Sequence, residues 1–178
     1  HENEIAQSEA CSGCRFVRYW IHNGFVTVNK EKMSKSLNNF FTLKTIFEKY
    51  DPRVVRYYLL TQHYKSPLDF SDSGLEAAKK TLQGLDDAYL RLLAKAKQYA
   101  PVIEDSGLAE LKNNFLNSLD DDFNSEKALS YLHELKNMIL KELFTADAIR
   151  LWQMRTLFEQ FADESLGIIL PREQTGGG

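Results

Sequence analysis

Lys32-Met33-Ser34-Lys35-Ser36 concentrates more chemistry than any other stretch, setting two ammonium groups three positions apart among two hydroxyls, ahead of the next apolar segment. Phosphate is the natural ligand for such a set. Lysine is a compact, mobile point charge that can follow a phosphate chain whose charge grows as a bond breaks, and serine hydroxyls add donors. The alternative is a solvated charged loop, the usual fate of charge clusters. Cys11 and Cys14 have the spacing of zinc and redox motifs, but a lone pair supplies only half of a four-ligand site, so two thiols in a turn around Gly13 is the plainer reading. His22 has the ring of a general base, yet with Trp20 beside it the residue reads as part of a packed turn. Asp120, Asp121 and Asp122 run into Asn124. Consecutive carboxylates on a helix do not converge on a cation, so the run reads as charge at a helix cap.

The elements that hold these residues follow from apolar spacing. Phe25-Val26-Thr27-Val28 alternates in the manner of a short strand or hairpin arm, and residues 1–30 otherwise look like the remnant of an α/β unit. A charged loop is expected from Asn29 to Asn39. Asp51-Pro52 supplies an N-cap and a first-turn proline, predicting a helix of about three turns. Val54, Val55, Tyr58 and Leu59, extended by Thr61, would form its apolar face, with Arg53 and Arg56 elsewhere. From Ser71, an apolar stripe running from Leu75 through Leu92 and Ala96 to Tyr99 predicts a long amphipathic helix ended by Pro101. Three further stripes follow: Leu108, Leu111, Phe115 and Leu119; Ala128, Leu132, Leu135, Ile139 and Leu143 after a cap at Asn124 or Ser125; and Leu151, Met154, Phe158 and Phe161 before Gly167. Four stripes joined by short polar loops predict an antiparallel bundle whose stripes are core. The expected fold is an α/β remnant over residues 1–70 followed by a mainly α-helical bundle over 71–178.

Composition sets outer limits. With 178 residues, 43% hydrophobic and 26% charged, the chain can bury a sizeable core, which excludes a disordered or low-complexity protein. Lys and Arg number 22 against 25 Asp and Glu, a net charge of −3, so only local basic patches argue for nucleic acid. Apolar runs such as Leu92-Leu93-Ala94 fall far short of the ~18 residues a membrane span needs. No signal peptide is visible, and two cysteines are too few for a disulfide framework, which points to the reducing cytoplasm. A first residue of His1 rather than Met marks the chain as an expected piece of a longer one.

Lys32-Met33-Ser34-Lys35-Ser36 resembles the second signature loop of class I aminoacyl-tRNA synthetases, and collinear segments narrow the resemblance to the cysteinyl-tRNA synthetase family. They are His1-Glu2-Asn3-Glu4, Tyr19-Trp20-Ile21-His22-Asn23-Gly24-Phe25, Arg56-Tyr57-Tyr58-Leu59-Leu60, His63 through Phe70, and Asp120 through Asn124. The resemblance implies an enzyme that joins cysteine to ATP, giving cysteinyl-adenylate and pyrophosphate, and then passes the cysteinyl group to the terminal adenosine of tRNA(Cys). It implies that Lys32 and Lys35 are catalytic, contacting the phosphates of ATP, which enters with Mg2+, and that Ser34 and Ser36 assist. Here the loop continues Leu37-Asn38-Asn39, with asparagine at a position the family fills with glycine. The resemblance further implies a zinc ion (Zn2+) that holds the substrate thiol through two cysteines, a histidine and a glutamate. Glu4 matches the glutamate. The matching histidine would precede His1, which leaves His1 itself either behind the metal ligands, supporting them, or on the substrate side, and the ligand cysteines and the first signature also fall outside these residues. The chain alone is therefore expected not to catalyse cysteine-dependent ATP–pyrophosphate exchange. His22 becomes pocket-adjacent and Trp20 a pocket wall or core residue, while Arg53, Arg56, Lys65, Lys79 and Lys80 become candidate tRNA phosphate contacts. Two alternatives share the framework: a related ligase joining cysteine to an amino-sugar thiol precursor, and a stand-alone helical RNA-binding module.

Overall fold

The computed structural model describes residues 1–28, 31–32, 42–96 and 106–169. The chain opens with a helix, α1 (Glu2–Ser12), which buries no residue and is closed by Gly13 at φ 67°, whose N–H reaches the Glu9 carbonyl. The apolar pattern does not predict α1, because a helix with no buried face leaves no 3.6-residue signal.

An extended segment then leads into β1 (Val26–Val28). Beside it lie β2 (Glu31–Lys32), antiparallel with Val28 opposite Glu31, and β3 (Leu68–Phe70), parallel with Val26 opposite Leu68. The order is β2-β1-β3. β1 is thus the arm of a hairpin, as expected, but β2 takes Glu31 and Lys32 out of the predicted loop. The parallel β1–β3 pair needs a crossover connection, and α2 (Leu43–Phe47) and α3 (Pro52–Leu60) supply it. Thr42 caps α2 and Asp51 caps α3, its carboxylate accepting from the Arg53 N–H at 2.8 Å, with Pro52 in the first turn. Along α3 the buried residues are Val54, Val55 and Tyr57, while Leu59 is exposed. The apolar face is rotated from the predicted one because Tyr57 is drawn inward by a polar partner on the bundle, described below.

The bundle consists of α4 (Asp72–Lys95), α5 (Ser106–Asp120), α6 (Ser125–Glu142) and α7 (Ala148–Glu159), the last running into a π-helical turn over Gln160–Ser165. Ser71 caps α4 by accepting from the Gly74 N–H. This helix stops at Lys95, short of Tyr99: Ala96 is buried, as the stripe requires, but in extended backbone at φ −76° and ψ 97°. Tyr99 and Pro101 lie outside the described residues. The four predicted stripes form the core, with Leu85, Phe115, Leu135, Ile139 and Phe158 wholly buried, and among their described residues only Leu119 sits at its margin. Phe115 stacks on Phe161 with ring centroids 3.8 Å apart. Gly167, at φ 63°, turns the chain after α7 as its position predicts. The same core continues through Leu68 and Phe70 of β3 and Val54 and Val55 of α3. No helix among the described residues is long and apolar enough to cross a membrane.

Candidate functional site

Of the predicted phosphate-binding residues, Lys32 has its backbone on β2, opposite Thr27. Met33, Ser34, Lys35 and Ser36 lie outside the described residues, as do Leu37, Asn38 and Asn39. The elements on both sides of that segment frame a cavity of about 400 Å3, lined among others by Val28, Ile46, Lys49, Tyr50, Phe70 and Leu75. It opens at the carboxyl ends of the parallel strands β1 and β3, beside the first turn of α4. That is where open α/β sheets bind ligands, because loops diverge there and helix N-termini present free N–H groups. Sequence order alone hides this juxtaposition: Phe70 meets Val28 only through the parallel register.

The first turn of α1 and the lead-in to β1 make a second cluster. Glu4, exposed at 60%, has a carboxylate oxygen 3.5 Å from His1 Nδ1. The His1 ring stacks on Trp20, 4.9 Å between centroids at 21°, and lies 4.8 Å from His22, while Phe16 meets Trp20 edge-on. Residue type singles out His22 and Trp20 and the resemblance singles out His1 and Glu4, but only the return of the chain past α1 brings them together. Cys11 and Cys14 are exposed free thiols, as the plainer reading expects. Among the described residues no three His, Cys, Asp or Glu side chains converge to hold a metal ion. The described residues therefore do not make the four-ligand zinc set that the resemblance implies; Glu4 offers one carboxylate toward it.

Two of the five candidate tRNA contacts serve the fold. The Arg53 guanidinium, 19% exposed, pairs with Asp86 at 3.1 Å and Asp51 at 3.2 Å and donates to the Ile168 carbonyl at 3.4 Å. Arg56 Nε donates to the Leu166 carbonyl. Both arginines thus clamp the chain end of the bundle onto α3, which their exposed-looking helical positions do not reveal. Lys79 and Lys80 are exposed on α4. Lys65 forms an ion pair with Asp122.

The aspartate run divides. Asn124 caps α6, its side-chain oxygen accepting from the Lys127 N–H at 3.0 Å, as predicted. Asp122 does not join that cap: it stands at φ 53° and turns its carboxylate to Lys65 and Tyr64, whose hydroxyl donates at 2.7 Å. These two donors hold the Asp122 carboxyl below its ordinary range, Lys65 contributing most. A further polar pair has no sequence signal at all. Tyr57 Oη lies 2.8 Å from His133 Nε2 between α3 and α6. Burial pushes the Tyr57 hydroxyl up to about 12. Burial, with Lys136 nearby, pushes His133 down.

The family described as tRNA synthetases class I (C) catalytic domain matches residues 1–80, and the DALR domain family matches residues 114–170. The chain is 70% identical to a cysteine--tRNA ligase of Endomicrobium trichonymphae over 174 residues, 98% of this chain and 37% of that protein. A cysteine--tRNA ligase of Moorella thermoacetica is 44% identical over 183 residues, 94% of this chain and 38% of that one. The chain thus spans little more than a third of the length of these relatives. Among solved structures, the LeuRS of Agrobacterium radiobacter K84, in a ternary complex with tRNA and LeuAMS, superposes with a TM-score of 0.67 at 19% identity. That match covers 79% of this chain and 20% of the other, and at such identity it shows a shared fold.

Proposed function

We propose that the chain is part of a cysteine--tRNA ligase, a class I tRNA synthetase, and is the portion of such an enzyme that grips ATP phosphates and faces tRNA. The observation that carries this reading is 70% identity over 98% of the chain to a cysteine--tRNA ligase, with the Lys32-to-Ser36 segment intact. In the first step the carboxylate of cysteine attacks the α-phosphorus of ATP and the α–β bridging bond breaks. Negative charge accumulates on the departing pyrophosphate. Lys35 and Lys32 offset that charge, with Ser34 and Ser36 donating hydrogen bonds and Mg2+ travelling with the nucleotide. In the second step a ribose hydroxyl of the terminal adenosine of tRNA(Cys) attacks the adenylate carbonyl and AMP leaves.

Residues 1–70 serve as the end of the catalytic domain and 71–178 as the tRNA-facing bundle, with Lys79 and Lys80 as its phosphate contacts. Zinc, a soft Lewis acid suited to a thiolate, belongs to the whole enzyme, with Glu4 as one of its ligands. Cysteine, ATP and tRNA(Cys) are soluble partners, and the cytoplasm is the compartment where they meet. The test is cysteine-dependent ATP–pyrophosphate exchange and cysteinylation of tRNA(Cys) by the full-length protein. Both activities are expected. Absence of exchange, or transfer to an amino-sugar thiol acceptor instead of tRNA, would contradict the reading.

A further inference from the structure

Asp122 and Phe123 are the two non-glycine residues with positive φ among those described, at 53° and 55°. For a bulky residue such as phenylalanine that conformation is costly, and it persists only where surrounding contacts over-determine it. The contacts come from the loop between α3 and β3. Tyr64 and Lys65 hold the Asp122 carboxylate, His63 Nε2 lies 3.0 Å from the Asp122 carbonyl, and the Tyr64 and Phe123 rings meet edge-on at 6.4 Å. Ser125 adds a hydrogen bond to the Gln62 carbonyl at 3.4 Å. On its other side the same loop is fastened to the lead-in of β1. The Gly24 N–H donates to the Tyr64 carbonyl at 2.7 Å and Leu68 N–H to the Phe25 carbonyl at 2.9 Å. A Cβ at Gly24 would lie 2.7 Å from the Lys65 carbonyl oxygen and closer still to Ser66, so only glycine permits this approach.

We propose that Asp122 is a positioning residue: through Lys65, Tyr64 and His63 it ties the α5–α6 turn to the 62–66 loop, and so fixes the bundle relative to the strand that leads into Lys32–Ser36. The proposal rests on the functional reading above for its consequence, which is that tRNA held by the bundle is aligned with chemistry at the sheet. A helix cap or a solvated carboxylate run would not contact three consecutive residues of a distant loop. The linkage is contiguous, running from the bundle turn to the loop, to Gly24, to β1, as coupling between elements requires.

The test uses the full-length protein with Asp122→Asn, which keeps size and tolerance of positive φ while removing the charge, and with Tyr64→Phe, which keeps the ring while removing the hydroxyl that donates to Asp122. Three quantities are read: amide hydrogen exchange over residues 24–28 and 61–67, cysteine-dependent ATP–pyrophosphate exchange, and charging of tRNA(Cys). Each variant is expected to exchange amides faster in both segments, to activate cysteine at the parent rate, and to lose roughly tenfold in charging kcat/KM for tRNA, the size of an ordinary coupling between sites. The double variant is expected to do no worse than either single one, as residues acting through one interaction do. Charging at the parent rate, or equal losses of activation and charging, would overturn the proposal, as would additive losses in the double variant. If the parent protein neither activates cysteine nor charges tRNA, it is the functional reading that fails. Hydrogen exchange then decides the joint alone: unchanged protection over 24–28 refutes it and faster exchange supports it.

Discussion

His133 and Tyr57 form a half-buried polar pair between α3 and α6, and their titration sets a pH limit on the fold. His133 titrates below its ordinary 6.5 in the folded chain, mainly because burial disfavours the charged ring. On acidification the unfolded chain therefore binds this proton first. The stability contributed is whole above the unfolded value and is lost as pH falls from there through the lower folded value. Tyr57 behaves in the opposite sense: raised from 10.0 to about 12, it loses its contribution as pH climbs between those values. Urea unfolding followed from pH 7 downward should show the midpoint falling before any carboxylate titrates, and His133→Gln should flatten that decline. An unchanged slope would mean that the imidazole is not the responsible group. Residue type alone does not expose this pair, since His133 belongs to no motif, the segment that contains Tyr57 says nothing of a partner, and the pair is defined by the packing of α3 on α6. Arg53 makes the same point in reverse: its position on α3 fits an RNA contact, and only the fold reveals Asp86 beneath it.

At the scale of elements, α4 to α7 were the most legible part of the chain, because in a bundle the helical period and burial coincide. Phe115 lies at the centre of that agreement, fully buried and stacked on Phe161. Phe115→Ala should lower the stability of the fold by about 3–5 kcal/mol, the usual result of emptying an aromatic site in a close-packed core. Chemical denaturation would measure it, and a loss below about 1 kcal/mol would show that α5 is not integral to the core. Where burial and period part company, sequence is silent or misleading. α1 buries nothing and leaves no stripe, Ala96 is buried without being helical, and β3 is too short for alternation to register before its pairing with β1 is known.

For the whole molecule, the proposed function rests on a motif and on relatives and not on geometry. The residue types of Lys32 to Ser36 announce phosphate chemistry, and the collinear segments announce the family. By contrast, the cavity at the ends of β1 and β3 and the Asp122 joint depend on contacts between residues far apart in the chain. The central claim is that the lysine pair stabilises pyrophosphate as it departs. The most direct measurement is the kcat of cysteine-dependent ATP–pyrophosphate exchange by full-length Lys35→Ala. The account predicts a fall of about 100-fold or more, the usual consequence of deleting one preorganised donor to a developing anion, whereas exchange at the parent rate would contradict it.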